Sequence, residues 1–199
     1  MLFSKTRTEA LSDGVFAIVI TLLVLEIKVP DMHASGQSLT HALVGLLPKI
    51  ISWVISFAVV MIFWINHHRL FHSLTSVDAR CMGLNGIFLM GLSFIPFPTA
   101  LMGEYIHEAL AVSLFGWIMA LTAGVLPILR SYASKAGLLD PMHDKQTIKT
   151  YNRRSYILGS GAYAVAALLA WIEPIIAIVL YAVIAMYFIR PKHRHLKHV

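Results

Sequence analysis

Twelve consecutive residues, Gly14 to Leu25, separate the carboxylates of Asp13 and Glu26 and carry no charge. As an α-helix rising about 1.5 Å per residue, this run is roughly 18 Å long, whereas a bilayer core is about 30 Å thick. If a helix on this segment crosses a membrane, both carboxylates lie near or inside the hydrophobic boundary. Charges there are costly against lipid and face protein or a water-filled path. The stretch Arg7–Ile27 is therefore expected to be an interior helix of a membrane protein rather than a lipid-facing one.

Composition supports the membrane setting. Of 199 residues, 58% are hydrophobic and 13% charged, against about 45–50% apolar and about 25% charged in a typical soluble domain. Apolar runs recur from end to end, so a single polytopic domain over residues 1–199 is expected. The runs are Thr8–Val29, His41–Asn66, Cys81–Met102, Ala109–Leu129, Tyr151–Trp171 and Pro174–Ile189. Each is near the roughly 20 residues a spanning helix needs, and the expected fold is all-α with six transmembrane helices. Only Glu173 and Pro174 mark the join between the last two, with the proline suited to the first turn of a new helix. Lys5 and Arg7 precede an apolar run, but no small-residue cleavage site follows before Glu26, so no cleavable signal peptide is expected. The single cysteine, Cys81, has no intrachain disulfide partner.

Charge then gives an orientation. With six spans both termini share a side. That side holds Lys5, Arg7, Arg69, Arg80, Arg130, Lys135, Lys145, Lys149, Arg153, Arg154, Arg190, Lys192, Arg194 and Lys197, which is 14 of the 16 basic residues. Lys28 and Lys49 are left for the other side, with Asp31, Glu104, Glu108 and Glu173. The positive-inside rule places both termini in the cytoplasm of a plasma-membrane protein. The net charge of +6 does not imply a nucleic-acid partner, because the basic residues sit at the ends of apolar segments and face membrane lipids. Val29–Thr40 reads as an outer loop and Ser131–Thr150 as a cytoplasmic linker. The basic, His-rich tail Lys192–His198 reads as solvated or headgroup-facing rather than as a metal site.

At about 100° per residue, Gly14, Ile18, Thr21, Leu22, Leu25 and Val29 share one face of the first helix. An ordinary packing surface has the same pattern, so the face alone does not assign a role. Gly116, Ala120 and Gly124 form a small-residue stripe suited to close helix approach. Pro96 and Pro98 are expected to kink or end the third helix, and Pro48 and Pro127 to bend theirs. His67, His68 and His72 with Asp78 contain one helical i,i+4 histidine pair and no HExxH, so no metal is expected. No nucleophile turn accompanies a Ser-His-Asp set, so the chain is not expected to be an enzyme. An arginine ladder for voltage sensing and a TVGYG-like filter are both missing.

Three motifs resemble one family in order. Ala10-Leu11-Ser12-Asp13-Gly14-Val15-Phe16-Ala17-Ile18, preceded by Arg7 and followed by Thr21–Ile27, resembles a first-helix signature of arginine, then phenylalanine-serine-aspartate, then an apolar helix. Phe63-Trp64-Ile65-Asn66-His67-His68-Arg69-Leu70-Phe71 resembles the end of that family's second helix. Asn85 and Ile95-Pro96-Phe97-Pro98-Thr99 resemble its third. The family is the prokaryotic branch of the endolysosomal potassium channel, the transmembrane protein 175 family. The signature's phenylalanine is Leu11 here.

The resemblance implies a potassium-selective channel that conducts passively without a cofactor. It implies a homotetramer whose first helices line a central pore. Ile18 would form a hydrophobic constriction, Thr21 a hydroxyl ring assisting selection of potassium, and Leu25 an outer apolar layer. Gly14, Leu22 and Glu26 belong to the same pore helix, with Glu26 toward the outer mouth. Arg7, Ser12, Asp13, Trp64 and His68 would form an interhelical polar network bracing that helix, His68 being favoured over its neighbour His67. The competing expectation is a proton-coupled transporter or proton leak in which Asp13 and His68 titrate.

Overall fold

The structure, a computed structural model, describes residues 2–30, 38–142 and 145–189. The chain is almost wholly helical. A short strand β1 (Leu2–Phe3) leads into α1 (Lys5–Leu22), which tightens into a 3₁₀ turn over Leu23–Glu26. Then come α2 (Leu39–Gly45), α3 (Leu47–His72), β2 (Val77–Asp78), α4 (Ala79–Phe94), α5 (Pro96–Glu104) and α6 (Ala109–Lys135). The chain continues through α7 (Lys145–Arg154), a π-helical turn over Ser155–Gly161, α8 (Ala162–Leu169) and α9 (Pro174–Ile189).

Four helical stretches are long and apolar enough to cross a membrane: Lys5–Glu26, Leu47–His72, Ala79–Glu104 and Ala109–Lys135. The remaining apolar segments are α9, which is shorter, and α8 with the π-helical turn before it.

Several expected boundaries move, each for a local reason. The first helix starts at Lys5 rather than Thr8, because Ser4 caps it: its side chain accepts from Arg7 N at 3.4 Å, and Thr8 Oγ1 donates to Ser4 O at 3.0 Å. The second segment divides at Leu46. Residues 39–45 form a separate short helix capped by Ser38, and the long helix opens with Pro48 in its first turn. Pro48 therefore starts α3 rather than bending it, since its missing N–H has no partner to lose there. The third stretch divides where its prolines are expected to kink or end it: α4 ends at Phe94. Ile95 keeps helical angles (φ −55°, ψ −38°) and Pro96 opens α5, so the helical path runs on from Ala79 to Glu104. The fourth helix carries on through buried Pro127 to Lys135, past the expected end at Leu129. Half of the expected linker Ser131–Thr150 is thus helix, in α6 and α7. Of the loop Val29–Thr40, residues 31–37 lie outside the described residues, as does the tail Lys192–His198.

One buried cluster unites the bundle. It runs from Phe16, Val19 and Leu23 on α1 through Val59, Phe63 and Phe71 on α3 and Phe88 and Leu92 on α4 to Phe115 and Met119 on α6, and reaches Tyr163 and Tyr181. The small-residue stripe of α6 permits the close approach expected of it. Gly116 lies against Ala167 and Tyr181, and Gly124 against Ser160.

At the end of the bundle where α1 begins, loops knit together. β1 pairs antiparallel with β2 in the register Leu2↔Asp78 and Phe3↔Val77. Leu74 bridges Leu139, Thr75 N donates to Leu138 O at 2.8 Å, and Asp140 N donates to Ser73 O at 3.0 Å. Gly137 supplies the left-handed turn (φ 69°) after α6, a conformation that is cheap only for glycine. Nearby, Arg130 is buried, with its guanidinium 4.2 Å over the Tyr151 ring and Nη1 donating to Asn152 Oδ1 at 3.2 Å.

Candidate pore helix and its anchorage

Two opposite faces divide α1. Thr8, Ser12, Phe16, Val19 and Leu23 are buried against α3 and α4. Their spacing of three and four residues makes a single helical stripe. On the other side, Arg7, Leu11, Gly14, Ile18, Thr21, Leu22 and Leu25 are exposed, with Ile18 59% and Leu25 60% accessible in the protomer. The face picked out by periodicity is thus the one this chain leaves uncovered. Contiguous exposed apolar surface of this kind marks contact with lipid or another copy.

Thr21 has a defined donor direction. Its Oγ1 donates to Ile18 O at 2.8 Å, with Ala17 O at 3.1 Å. The hydroxyl proton is therefore turned onto the helix's own backbone, and the lone pairs are left on the exposed side. Glu26 is half-buried where the 3₁₀ turn ends. It borders a cleft of about 300 Å³ whose walls include Leu23, Trp53, Phe97 and the Lys49–Glu104 ion pair (2.6 Å). That is the only ion pair among the described residues.

The packed face carries a polar node inside an aromatic cage. Ser12 Oγ donates to Thr8 O at 2.9 Å. It accepts from Asn85 Nδ2 at 3.0 Å, and Asn85 Oδ1 lies 2.9 Å from His67 Nε2. The chain has one direction. The hydroxyl proton is committed to the backbone, so Asn85 must present its amide N–H₂ to Ser12 and its oxygen to the histidine. That oxygen can only accept, so His67 carries its proton on Nε2. Phe16, Phe71 and Phe88 surround the imidazole, with ring centroids 5.6, 4.2 and 5.6 Å away. Ser12, Asn85 and His67 are all at most 2% exposed.

The expected network is therefore split into two parts. Asp13 accepts from Trp64 Nε1 at 2.9 Å on the exposed side. His68 is exposed and stacks on Trp64, ring centroids 5.6 Å apart, without joining the hydrogen-bonded node. Of the two adjacent histidines, His67 is the buried one, while His68 keeps its contact with Trp64 beside Asp13. The reason is helical phase: His67 continues the buried stripe Val59, Val60, Phe63, Leu70 and Phe71, and its neighbour falls off it. That stripe was readable in the sequence. Arg7 is exposed, and its guanidinium pairs with no carboxylate among the described residues. Leu11 is half accessible, on the uncovered face.

Lys5 was not singled out by sequence. Its Nζ donates to Leu74 O at 2.8 Å and lies 3.5 Å from His72 O. It thus satisfies carbonyls where α3 ends, the place where a helix leaves its last C=O groups unpaired and favours a cation. No motif announces such a contact, since donor and acceptors are 67 and 69 residues apart. Among the described residues no group of three or more His, Cys, Asp or Glu side chains is placed to hold a metal.

Residues 7–96 match the family model for the endosomal/lysosomal potassium channel TMEM175. Over 187 residues the chain is 38% identical to a potassium channel of Chamaesiphon minutus, covering 92% of both. Over 99 residues it is 42% identical to the endosomal/lysosomal proton channel TMEM175 of Gallus gallus, which is 46% of this chain and 19% of that one. The crystal structure of a lysosomal potassium-selective channel TMEM175 homolog from Chamaesiphon minutus superposes with a TM-score of 0.81 at 36% identity, covering 92% of this chain and 95% of that one.

Proposed function

This chain belongs to the TMEM175 potassium channel family, and from that premise we propose that it is a potassium-selective channel of the plasma membrane that conducts passively. The observation that carries this reading is the division of α1 into a packed stripe and an uncovered face bearing Ile18, Thr21 and Leu25. In a homotetramer with these faces turned inward, the ion path is lined by α1. The isoleucine ring is its narrow apolar layer, where a poorly wetted gap sets the barrier. One turn away, the threonine oxygens offer lone pairs to a dehydrating cation. Leu25 adds a second apolar layer, and Glu26 raises the local cation concentration at the outer mouth.

Six spanning segments, with α8 and α9 the last two, put both termini in the cytoplasm. Potassium is the permeant species, and no cofactor takes part. Ser12 with Asn85 and His67, and Asp13 with Trp64, hold the pore helix at its packed and exposed sides. Arg7 is left for a neighbouring subunit.

The test is potassium efflux from proteoliposomes, followed by the reversal potential in mixed potassium and sodium. Flux down a potassium gradient, with a reversal potential near that of potassium, supports the channel. The proton channel name of the Gallus gallus relative makes proton leak the second reading. Proton flux down a pH gradient without potassium selectivity would favour the leak, and potassium flux that demands an opposing proton gradient would favour a proton-coupled transporter.

A further inference from the structure

The inner end of α1 is tied down by contacts outside the polar node. Leu2 and Phe3 pair with the strand before α4, and Lys5 reaches the carbonyls where α3 ends. Those loops are held in turn. Asp78 accepts from Tyr132 of α6 and, at 2.8 Å, from Cys81 N, and the α3–β2 connection pairs with residues 138–140 after α6. Leu2–Lys5 is therefore a strap fastened to a framed platform rather than to a loose loop.

The strap sits at the end of a lever. Lys5 precedes Ser12 by seven residues, about two helical turns, so it emerges on the packed side of α1 in line with Ser12. The buried node on Ser12 fixes the helix there. At about 1.5 Å per residue, Lys5 lies roughly 10 Å to one side of that point and Ile18 roughly 9 Å to the other, with nearly equal arms. A pull on Lys5 toward α3 loads the Ile18 half of the helix away from its own bundle, against the packing of Phe16 and Val19. In a pore lined by α1, that direction is toward the axis.

We infer that the strap Leu2–Lys5 sets the width of the constriction at Ile18, levering α1 across the Ser12–Asn85–His67 node, so that Lys5 is a positioning residue for permeation. This rests on the channel reading above. Releasing the strap lets the inner end move off the bundle and the Ile18 ring open. A wider apolar ring wets more readily and discriminates less.

The experiment compares wild type, Lys5→Met, Lys5→Arg and a variant lacking Leu2 and Phe3. Each is reconstituted after size exclusion and melting show an assembled, folded protein. Potassium flux and the reversal potential in mixed potassium and sodium are read on the same vesicles. Lys5→Met and the deletion should each raise flux by about fivefold, equivalent to roughly 1 kcal/mol off the barrier, and lower the preference for potassium. Lys5→Arg, which keeps a cationic donor for the same carbonyls, should behave as wild type. If one loosened variant does not fold, the other decides. Unchanged flux and selectivity in the folded variants, or a loss of flux, would overturn the lever. Failure of the wild type itself to pass potassium would instead sink the channel reading.

Discussion

Gly116 of α6 lies against the hydroxyl end of Tyr181 of α9, so close that a Cβ there would overlap the tyrosine hydroxyl and come within 2.8 Å of the Ala167 Cβ. That hydroxyl donates to Val112 O at 3.0 Å, one turn earlier on α6. A missing methyl group and a buried hydrogen bond thus fasten the last helix to the centre of the bundle. Gly116→Ala should destabilise the protein by about 1–3 kcal/mol through overpacking. Pairing it with Tyr181→Phe should cost less than the sum of the two single changes, because both act on one contact. Melting of detergent-solubilised protein checks this. Strict additivity would place the two residues in separate environments.

Phe16 is 1% exposed and packs against the rings of His67 and Phe88. Phe16→Ala should cost about 3–5 kcal/mol, the range for emptying a buried aromatic site. Its exposed neighbour Ala17 should tolerate conversion to Ser with little change. Equal effects in a melting series would mean that α1 is held on the opposite face.

Removing Asn85 strands two partners at once. Asn85→Leu leaves His67 Nε2 without its acceptor and Ser12 Oγ without its donor, at about 1–3 kcal/mol for each unsatisfied buried group. In Asn85→Leu/His67→Phe the imidazole is gone as well, and part of the loss should return. The same melting assay decides, and a double variant no better than the single one would deny the bond between them.

Conduction should respond to the uncovered face. Ile18→Asn should raise potassium flux by relieving the dewetted ring, and Thr21→Val should lower the preference for potassium over sodium while leaving the fold intact. Liposome flux and reversal potentials provide the readout. Folded variants with wild-type values would remove these residues from the ion path.

Acid should act on Asp78, which lies outside the spanning helices. Its carboxyl is held below the usual carboxylate range, first by the Tyr132 hydroxyl and then by the Cys81 N–H. A depressed folded pKa means stability that is present above the unfolded pKa and lost as pH falls through the folded one. Wild type should therefore melt above Asp78→Asn at neutral pH, with the gap closing only as the pH falls below the ordinary carboxylate range. A gap independent of pH would show that the charge on Asp78 contributes nothing.

Local patterns carried much of this architecture. The membrane setting follows from the apolar runs, and the two faces of α1 from three-and-four spacing, because both are written in neighbouring residues. What escaped depends on distant ones. Which of His67 and His68 turns inward is a matter of phase against the Phe63–Phe71 stripe, and the buried side also needed Asn85 to meet it. Lys5 gained its role from carbonyls where another helix ends. The β1–β2 pair is too short to show period-two alternation. The π-helical turn at Ser155–Gly161 has no signature beyond two glycines, and the extension of α6 past Leu129 rested on tertiary partners for Arg130.

Arg130 has a consequence in time as well as in space. Its guanidinium lies over Tyr151, is bonded to Asn152, and is 8% exposed. A cation folded away in this manner no longer meets lipid phosphates. On the proposed topology, any orienting pull it exerts would belong to the nascent chain, before α7 closes over it. On that topology the same side chain would serve twice, first as an address for the emerging segment and later as a strut in the finished protein.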